Sequence, residues 1–250
     1  MDSGLYAAYT GLLARTEALD TAANNLANAG TAGFRAQRDY FRSVLAGIGD
    51  EGSASQVGDA INDFGVLGGN LIDQGQGAFT ATGNPLDLAL NGPGFFSVQT
   101  SQGVQYTRDG GFTRSSAGVL QTMQGEPVLD ANGQAITIPT GAVSIGPDGS
   151  ISVTTAEGSA IAGKVGVFDF PADADLEALG ANHFAAPDGV PPASVDTAIQ
   201  QGELEGANLD AVHGTMQLIL VQRQAEMMQK ALSVFNNDFD KTAAEDLGRV

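Results

Sequence analysis

Near the N-terminus apolar residues recur at a fixed interval. Leu5, Leu12, Leu19 and Leu26 stand seven residues apart, and Tyr9, Thr16 and Ala23 follow the first three of them by four. This is the narrow stripe of a helix that meets another helix, not the broad face of a helix lying on a core. The remaining positions are rich in Ala, the strongest helix former, so the pattern predicts a helix over the first thirty residues. Asn28-Ala29-Gly30-Thr31-Ala32-Gly33 ends it with helix-stop and turn chemistry. At the other end, Leu218, Val221, Ala225, Met228, Leu232, Phe235, Phe239 and Thr242 fit a second heptad. Asn208 is placed to cap that helix, with Asp210 favouring its dipole. Leu209, Val212, Met216 and Ile219 form an offset stripe, and an apolar surface wider than one seam predicts more than one neighbour.

Between the helices the period shortens. Residues 46–80 are rich in Gly, Asp, Gln and Ser and read as an extended connector with a short strand such as Phe64–Leu67. From 81 to 200, short apolar runs alternate with turn signals, which predicts strands at Leu86–Leu90, Phe95–Gln99, Val104–Thr107, Val119–Thr122, Ala135–Ile138, Ile151–Thr154 and Lys164–Phe170. Asp109-Gly110, Asn132-Gly133 and Asp148-Gly149 fall in the gaps and suit primed turns. Asp173–Leu179 reads as one helical turn. The expected fold class is mixed α and β, with N- and C-terminal helices pairing as a coiled coil and an all-β central domain on an extended connector. The expected segments are 1–36, 37–80, 81–203 and 204–250. One narrow stripe does not offset the conformational entropy of ordering two long terminal segments, so the ends are expected to need each other and neighbouring subunits.

Charge adds a constraint. The 250 residues carry a net charge of −18. Residues 1–45 are balanced, with four basic and four acidic groups, whereas residues 46–203 hold three basic and eighteen acidic groups. Such a middle repels phosphate backbones, which argues against nucleic acid as a partner; its plain role is a solvated face. Absence of Cys rules out disulfides and thiolate metal sites. The start, Met1-Asp2-Ser3-Gly4-Leu5-Tyr6, lacks the basic and apolar regions of a secretory signal. No apolar run approaches the roughly 18 residues needed to span a bilayer.

Catalytic chemistry is hard to find. His183 and His213 sit in different segments without ligand spacing and are assigned turn or helix-surface roles. No Ser lies in a G-x-S-x-G elbow. Asp130-Ala131-Asn132-Gly133 lacks the spacing and the twelfth-position acid of a calcium loop and reads as a hairpin turn. Gly75-x-Gly77 and Gly92-x-Gly94 lack the third Gly of a dinucleotide fingerprint. Asp87 and Glu126 are a carboxylate pair only in the sense that many acids make many pairs. Thr82-Gly83-Asn84-Pro85-Leu86-Asp87-Leu88 is turn-forming and holds no nucleophile or base, so a geometric role is expected: setting the direction in which the connector joins the β-domain. No catalytic, cofactor-binding or metal residue is assigned, and neither a cofactor nor an enzymatic activity is expected.

Several of these segments together resemble one family. Asn24-Asn25-Leu26-Ala27-Asn28 followed by Thr31-x-Gly33-Phe34-Arg35 resembles the N-terminal signature of flagellar basal-body rod and hook proteins, with Ala32 where that signature has Pro. Gly83-Asn84-Pro85-Leu86-Asp87 with Gly92-x-Gly94-Phe95-Phe96, then Tyr106-Thr107-Arg108-Asp109-Gly110, Phe112-Thr113-Arg114 and Gly118-x-Leu120, resemble the start of the family's β-domain. Leu179-Gly180-Ala181-Asn182-His183-Phe184 is similar to a later element of that domain. Leu204-Glu205-Gly206-Ala207-Asn208-Leu209-Asp210 with Gln222, Arg223 and Lys230 resembles the closing helix, Ala207 and Leu209 standing for Ser and Val. The Met1-Asp2 start, Phe34-Arg35-Ala36-Gln37 and Gln222-Arg223-Gln224 look most like the proximal-rod type, with the distal-rod type as runner-up and a hook-type subunit further off.

The resemblance implies a structural subunit that self-assembles through its terminal helices into a hollow axial drive shaft, transmitting torque and surrounding the export channel. It implies type III export without a cleavable signal peptide, and residence in the flagellar basal body, periplasmic in two-membrane cells. The implied partners are identical subunits, neighbouring rod proteins and, during secretion, the flagellar export apparatus. Leu5, Leu12, Leu19, Leu26, Leu218, Val221, Met228, Leu232, Phe235 and Phe239 are the expected polymerisation interface. A peptidoglycan-acting envelope enzyme and a β-domain adhesin are the competing classes. The first lacks a dedicated catalytic segment, and the second lacks Trp and is poor in the aromatic rings that carbohydrate platforms use.

Overall fold

The computed structural model describes residues 2–43, 65–156, 158–171, 174, 176–180, 182–186 and 190–247, with side chains described except at 2–8, 39–43, 65–70 and 235–247. The chain divides into two compact units. A helical unit takes Met1–Ala27, Gln37–Leu71 and Ala211–Val250, and a β unit takes Asn28–Ala36 and Ile72–Asp210.

In the helical unit, α1 (Asp2–Ala27) packs against α2 (Ala211–Leu247). Strands β1 (Gln37–Ser43) and β2 (Gly65–Ile72) pair as a two-stranded sheet, so part of the expected extended connector is regular structure. Along α2 the heptad read from the sequence is the inner face: Ala225 and Leu232 are buried and Leu218, Val221 and Met228 half-buried. Phe235 and Phe239 lie outside the described side chains. The inner face of α1 is not the leucine stripe. Ala14, Ala18, Thr21, Ala22 and Asn25 are buried, while Leu12, Leu19 and Leu26 are half-buried on its flank and Tyr9, Thr16 and Ala23 are exposed. This face is lined by small side chains, and Gly11 faces α2, where a Cβ would make ordinary contact with Met228 Cε at 3.4 Å. Leu5 falls outside the described side chains.

The β unit holds strands β3 (Phe79–Ala81), β4 (Leu88–Asn91), β5 (Phe95–Thr100), β6 (Gly103–Thr107), β7 (Thr113–Arg114), β8 (Leu120–Gln121), β9 (Ala142–Ile145), β10 (Ser150–Thr155), β11 (Gly158–Lys164), β12 (Val167–Asp169), β13 (Glu177–Gly180), β14 (His183–Ala185), β15 (Ala193–Ser194), β16 (Ala198–Gln201) and β17 (Glu203–Glu205). The largest sheet is antiparallel, in the order β13-β14-β6-β5-β12-β15. Its central strand β5 is buried on both faces, which is why Phe95 and Phe96 stand side by side instead of alternating with polar residues. Phe96 and Val98 point into the main core with Phe112, Leu120, Ile138 and Ile151. Phe95 points into a smaller aromatic cluster with Tyr106, Phe170, Leu176 and Phe184. Edge-on ring pairs fix both, with Phe96–Phe112 centroids 5.1 Å apart and Tyr106–Phe170 centroids 4.8 Å apart.

Three expectations need correction. Ala135–Ile138 forms isolated bridges rather than a strand: Ile136 bonds to Leu120 of β8 and to Val128, and Ile138 to Gly118, so its partners change from residue to residue. Within Asp173–Leu179 the described residues Glu177–Leu179 are extended in β13, not helical. At the expected turns, Gly133 and Gly149 have positive φ, but Gly110 does not; its role is close approach, since a Cβ there would lie 1.7 Å from Leu88 O.

Candidate functional site

The chain crosses between the two units four times, after residues 27, 36, 71 and 210. The residues flanking those crossings are held by a concentrated set of polar contacts, and most of the motif residues lie there.

On the helical side, Asn25 is buried at the end of α1 and exchanges two hydrogen bonds with the first residue of β1. The Gln37 N–H donates to Asn25 Oδ1 at 2.8 Å, and Asn25 Nδ2 donates to Gln37 O at 2.7 Å. Leu26 is half-buried and Ala27 exposed beside it. On the β side, the Thr31 N–H donates to Asn28 O at 3.0 Å and the Phe34 N–H to Thr31 O at 3.3 Å. With Gly33 at φ +69° this is a type II turn, whose third position requires a positive φ. A Cβ on Gly33 would also meet Asp109 N at 2.2 Å.

Asn208 does not cap α2, which begins at Ala211. Its Oδ1 accepts from the Ala36 N–H at 2.7 Å, and its Nδ2 donates to Asp73 O at 2.8 Å and Gly75 O at 3.1 Å. One amide thus ties together the β-unit ends of three crossings.

Deeper in the β unit lies a buried ion cluster. Arg35 Nη2 stands 2.7 Å from Glu205 Oε1, and Arg108 Nη1 stands 3.1 Å from Glu205 Oε2. The Gly77 N–H donates to Glu205 Oε1 at 2.8 Å, and the Gly33 N–H to Glu205 O at 2.7 Å. Arg108 Nη2 also donates to Gly92 O at 2.7 Å, and its guanidinium lies 5.3 Å from the Phe95 ring centroid. Burial, and after it the Arg35 charge, lower the Arg108 pKa to about 10 against the opposing pull of Glu205; at neutral pH it stays charged. Two cations face one carboxylate, and among the described residues Arg35 Nε, Arg35 Nη1 and Arg108 Nε have no hydrogen-bond partner. This arrangement has no leaving-group or nucleophile geometry. It fixes chain segments that are remote in sequence.

The 82–88 segment is a second fixed turn. Asn84 Nδ2 donates to Asp87 Oδ1 at 2.7 Å and the Leu86 N–H donates to Asn84 Oδ1 at 3.3 Å. Gly202, between β16 and β17, bonds to Thr82, Gly83 and Asp87. The turn therefore joins β3 to β4, while β16 pairs with β4 and β17 with β3.

His183 is buried in β14, with Nε2 3.1 Å from Glu126 Oε2, so the turn-surface role expected for it is wrong. His213 is exposed on α2. Glu126 and Asp87 have separate partners, Glu126 accepting from Thr122 Oγ1 at 3.1 Å and Asp87 from Asn84. Asp130 caps its own hairpin turn, accepting from the Asn132 and Gln134 N–H groups at 2.8 Å. Among the described residues no group of three or more His, Asp or Glu is placed to hold a metal ion, and no helix is long and apolar enough to cross a membrane. Gln222 and Arg223 are exposed on α2, Gln222 Nε2 donating to Glu226 Oε1 at 3.3 Å.

Sequence reading passed over Glu205 and the pairing of Arg108 and Arg35 with it. A signal existed: residues 46–203 contain only three basic groups, and Arg108 directly follows the strand that carries Tyr106.

Comparison with known proteins bears on this architecture directly. Residues 5–35 match the Flagella basal body rod protein family, and residues 89–153 match the Flagellar hook protein FlgE/F/G D1 domain. The chain is 36% identical to flagellar basal-body rod protein FlgF of Caulobacter vibrioides, covering 100% of both chains. It is 32% identical to FlgF of Mesorhizobium japonicum over 90% of each chain. It is also 32% identical to FlgG of Bacillus subtilis over 92% of this chain and 93% of the relative. The chain belongs to the flagellar basal-body rod protein family and is a structural subunit of the flagellum, not an enzyme.

Proposed function

We propose that this rod subunit, of the proximal-rod type, polymerises through the outward faces of its terminal helices, which pair as a coiled coil within each copy. Copies and neighbouring rod proteins then form a hollow shaft in the cell envelope that carries torque and surrounds the channel through which the unfolded chain was exported. One observation carries this reading. After α2 has set one apolar face against α1, Val212, Met216, Ile219, Leu220, Met227 and Val234 stay exposed, as do Tyr9 and Leu13 on α1. A soluble monomer rarely leaves a continuous apolar stripe uncovered unless it is an interaction surface. The crossing contacts at Asn25, Asn208 and Glu205 suit a load-bearing part, since they bond the segments of each unit where the chain passes to the other.

In this reading the Leu218 to Leu232 stripe serves packing against α1 within the chain, and assembly uses the opposite side. The test is Leu220→Asp in cells that make no other copy. The purified chain should melt within a few degrees of wild type, because Leu220 is 59% exposed, yet it should be missing from isolated basal bodies and the cells should not swim. Normal incorporation would contradict the reading.

A further inference from the structure

Along the exposed side of α2, Met216, Leu220, Arg223, Met227, Lys230 and Val234 follow one another at alternating intervals of four and three, and all six are exposed. At 3.6 residues per turn they lie half a turn round the helix from Leu218, Val221, Ala225, Met228 and Leu232. Arg223 and Lys230 therefore point away from α1 of their own chain. Two cations set within an apolar stripe suit a partner that offers anions inside an apolar stripe of its own, because a purely apolar partner would desolvate them uncompensated.

The same chain carries such a stripe. Tyr9, Leu13, Thr16, Asp20 and Ala23 follow one another at the same spacing on the exposed side of α1, with Glu17 at their edge, and all six are exposed. None of Glu17, Asp20, Arg223 and Lys230 forms an ion pair among the described residues. Glu226, on the flank of α2, already accepts from Gln222. We propose that the outer stripe of α2 receives the outer stripe of α1 from a second copy of this chain, Asp20 and Glu17 set against Arg223 and Lys230. Homotypic pairing is disfavoured by the same charges: α2 on α2 brings cations together, and α1 on α1 brings acids together. Charges at such positions select partner and register more than they add strength. The inference rests on the polymer reading and adds which face meets which.

Charge exchange in the full chain tests it, read by incorporation into isolated basal bodies and by melting of the soluble protein. Arg223→Glu with Lys230→Glu, and separately Glu17→Lys with Asp20→Lys, should each reduce incorporation about tenfold or more while leaving melting unchanged. All four substitutions together should bring incorporation back to within about threefold of wild type. Normal incorporation of either double variant would overturn the pairing. So would a quadruple variant no better than the doubles, which would point to a different chain as occupant. If Leu220→Asp blocks assembly while the charge variants do not, the pairing alone falls; if Leu220→Asp assembles normally, the polymer reading falls with it.

Discussion

Asn25 and Gln37 hold each other by two hydrogen bonds, of 2.8 and 2.7 Å, across the eleven residues that separate them in sequence. The amide side chain supplies both an acceptor and a donor, which no other short side chain does in that geometry. Asn25→Ala leaves the partly buried N–H and carbonyl of Gln37 without these partners, a loss of about 1–3 kcal/mol. Hydrogen exchange at the Gln37 amide should accelerate by roughly ten- to a hundredfold, with the centre of the β unit unaffected. Unchanged exchange at Gln37 would show that the pair is ornamental.

Glu205 neutralises two buried guanidinium groups, so the three members of the cluster are not equivalent. Glu205→Gln strands two cations without a counter-charge and should cost about 3–5 kcal/mol. Arg35→Met leaves the Arg108–Glu205 pair intact and removes two unpartnered guanidinium nitrogens, so its cost should stay within about 1 kcal/mol. Arg108→Met should fall between, because it also loses the bond to Gly92 O. Urea melts of the three variants give the order directly.

Ala32 occupies the second position of the type II turn Thr31–Phe34, where Pro is pre-set for the backbone. Ala32→Pro should stabilise the β unit by about 0.4–1 kcal/mol through the unfolded chain. Gly33→Ala should destabilise by more than that gain, since its Cβ would meet Asp109 N at 2.2 Å. Thermal melts of the two variants should shift in opposite directions.

Burial raises the Asp109 pKa, against the lowering effects of the Gly111 N–H and of His183, and Asp87 raises it further. A carboxyl whose folded pKa lies above its unfolded value adds stability below the unfolded pKa and loses it as pH rises through the folded value. Asp109→Asn keeps an acceptor for Gly111 and has no charge to bury. The variant should therefore gain on wild type as pH rises from about 4 to 7, measured as the difference between their urea midpoints. A constant difference across that range would count against a buried, strained carboxylate.

Periodicity made the helices and the aromatic strands legible. The α2 heptad was visible because Leu218 to Leu232 are large and regularly spaced, and they are the residues placed inside. The inner face of α1 was not, because Ala14, Ala18 and Gly11 carry little hydrophobic signal. Strands β16 and β17 were hidden by Gln200, Gln201, Glu203 and Glu205, polar residues that a strand search discounts. The motif contacts were half legible. Asn25, Gly33 and Arg35 stood out as a motif, but that Glu205 meets Arg35 and Arg108, or that Asn208 bonds to Ala36 and Asp73, depends on contacts between residues far apart in sequence.

The central claim, that copies meet through the outward faces of their helices, can be tested by cross-linking, because the chain has no Cys of its own. Two differently tagged copies, one bearing Leu13→Cys and the other Leu220→Cys, would be co-expressed, assembled and mildly oxidised in isolated basal bodies. The account predicts a disulfide-linked dimer carrying both tags, absent when Cys replaces the inward Ala18 or Ala225 instead. Assembled basal bodies that yield only monomers from the Leu13→Cys and Leu220→Cys pair, or that yield dimers equally from the inward positions, would contradict it.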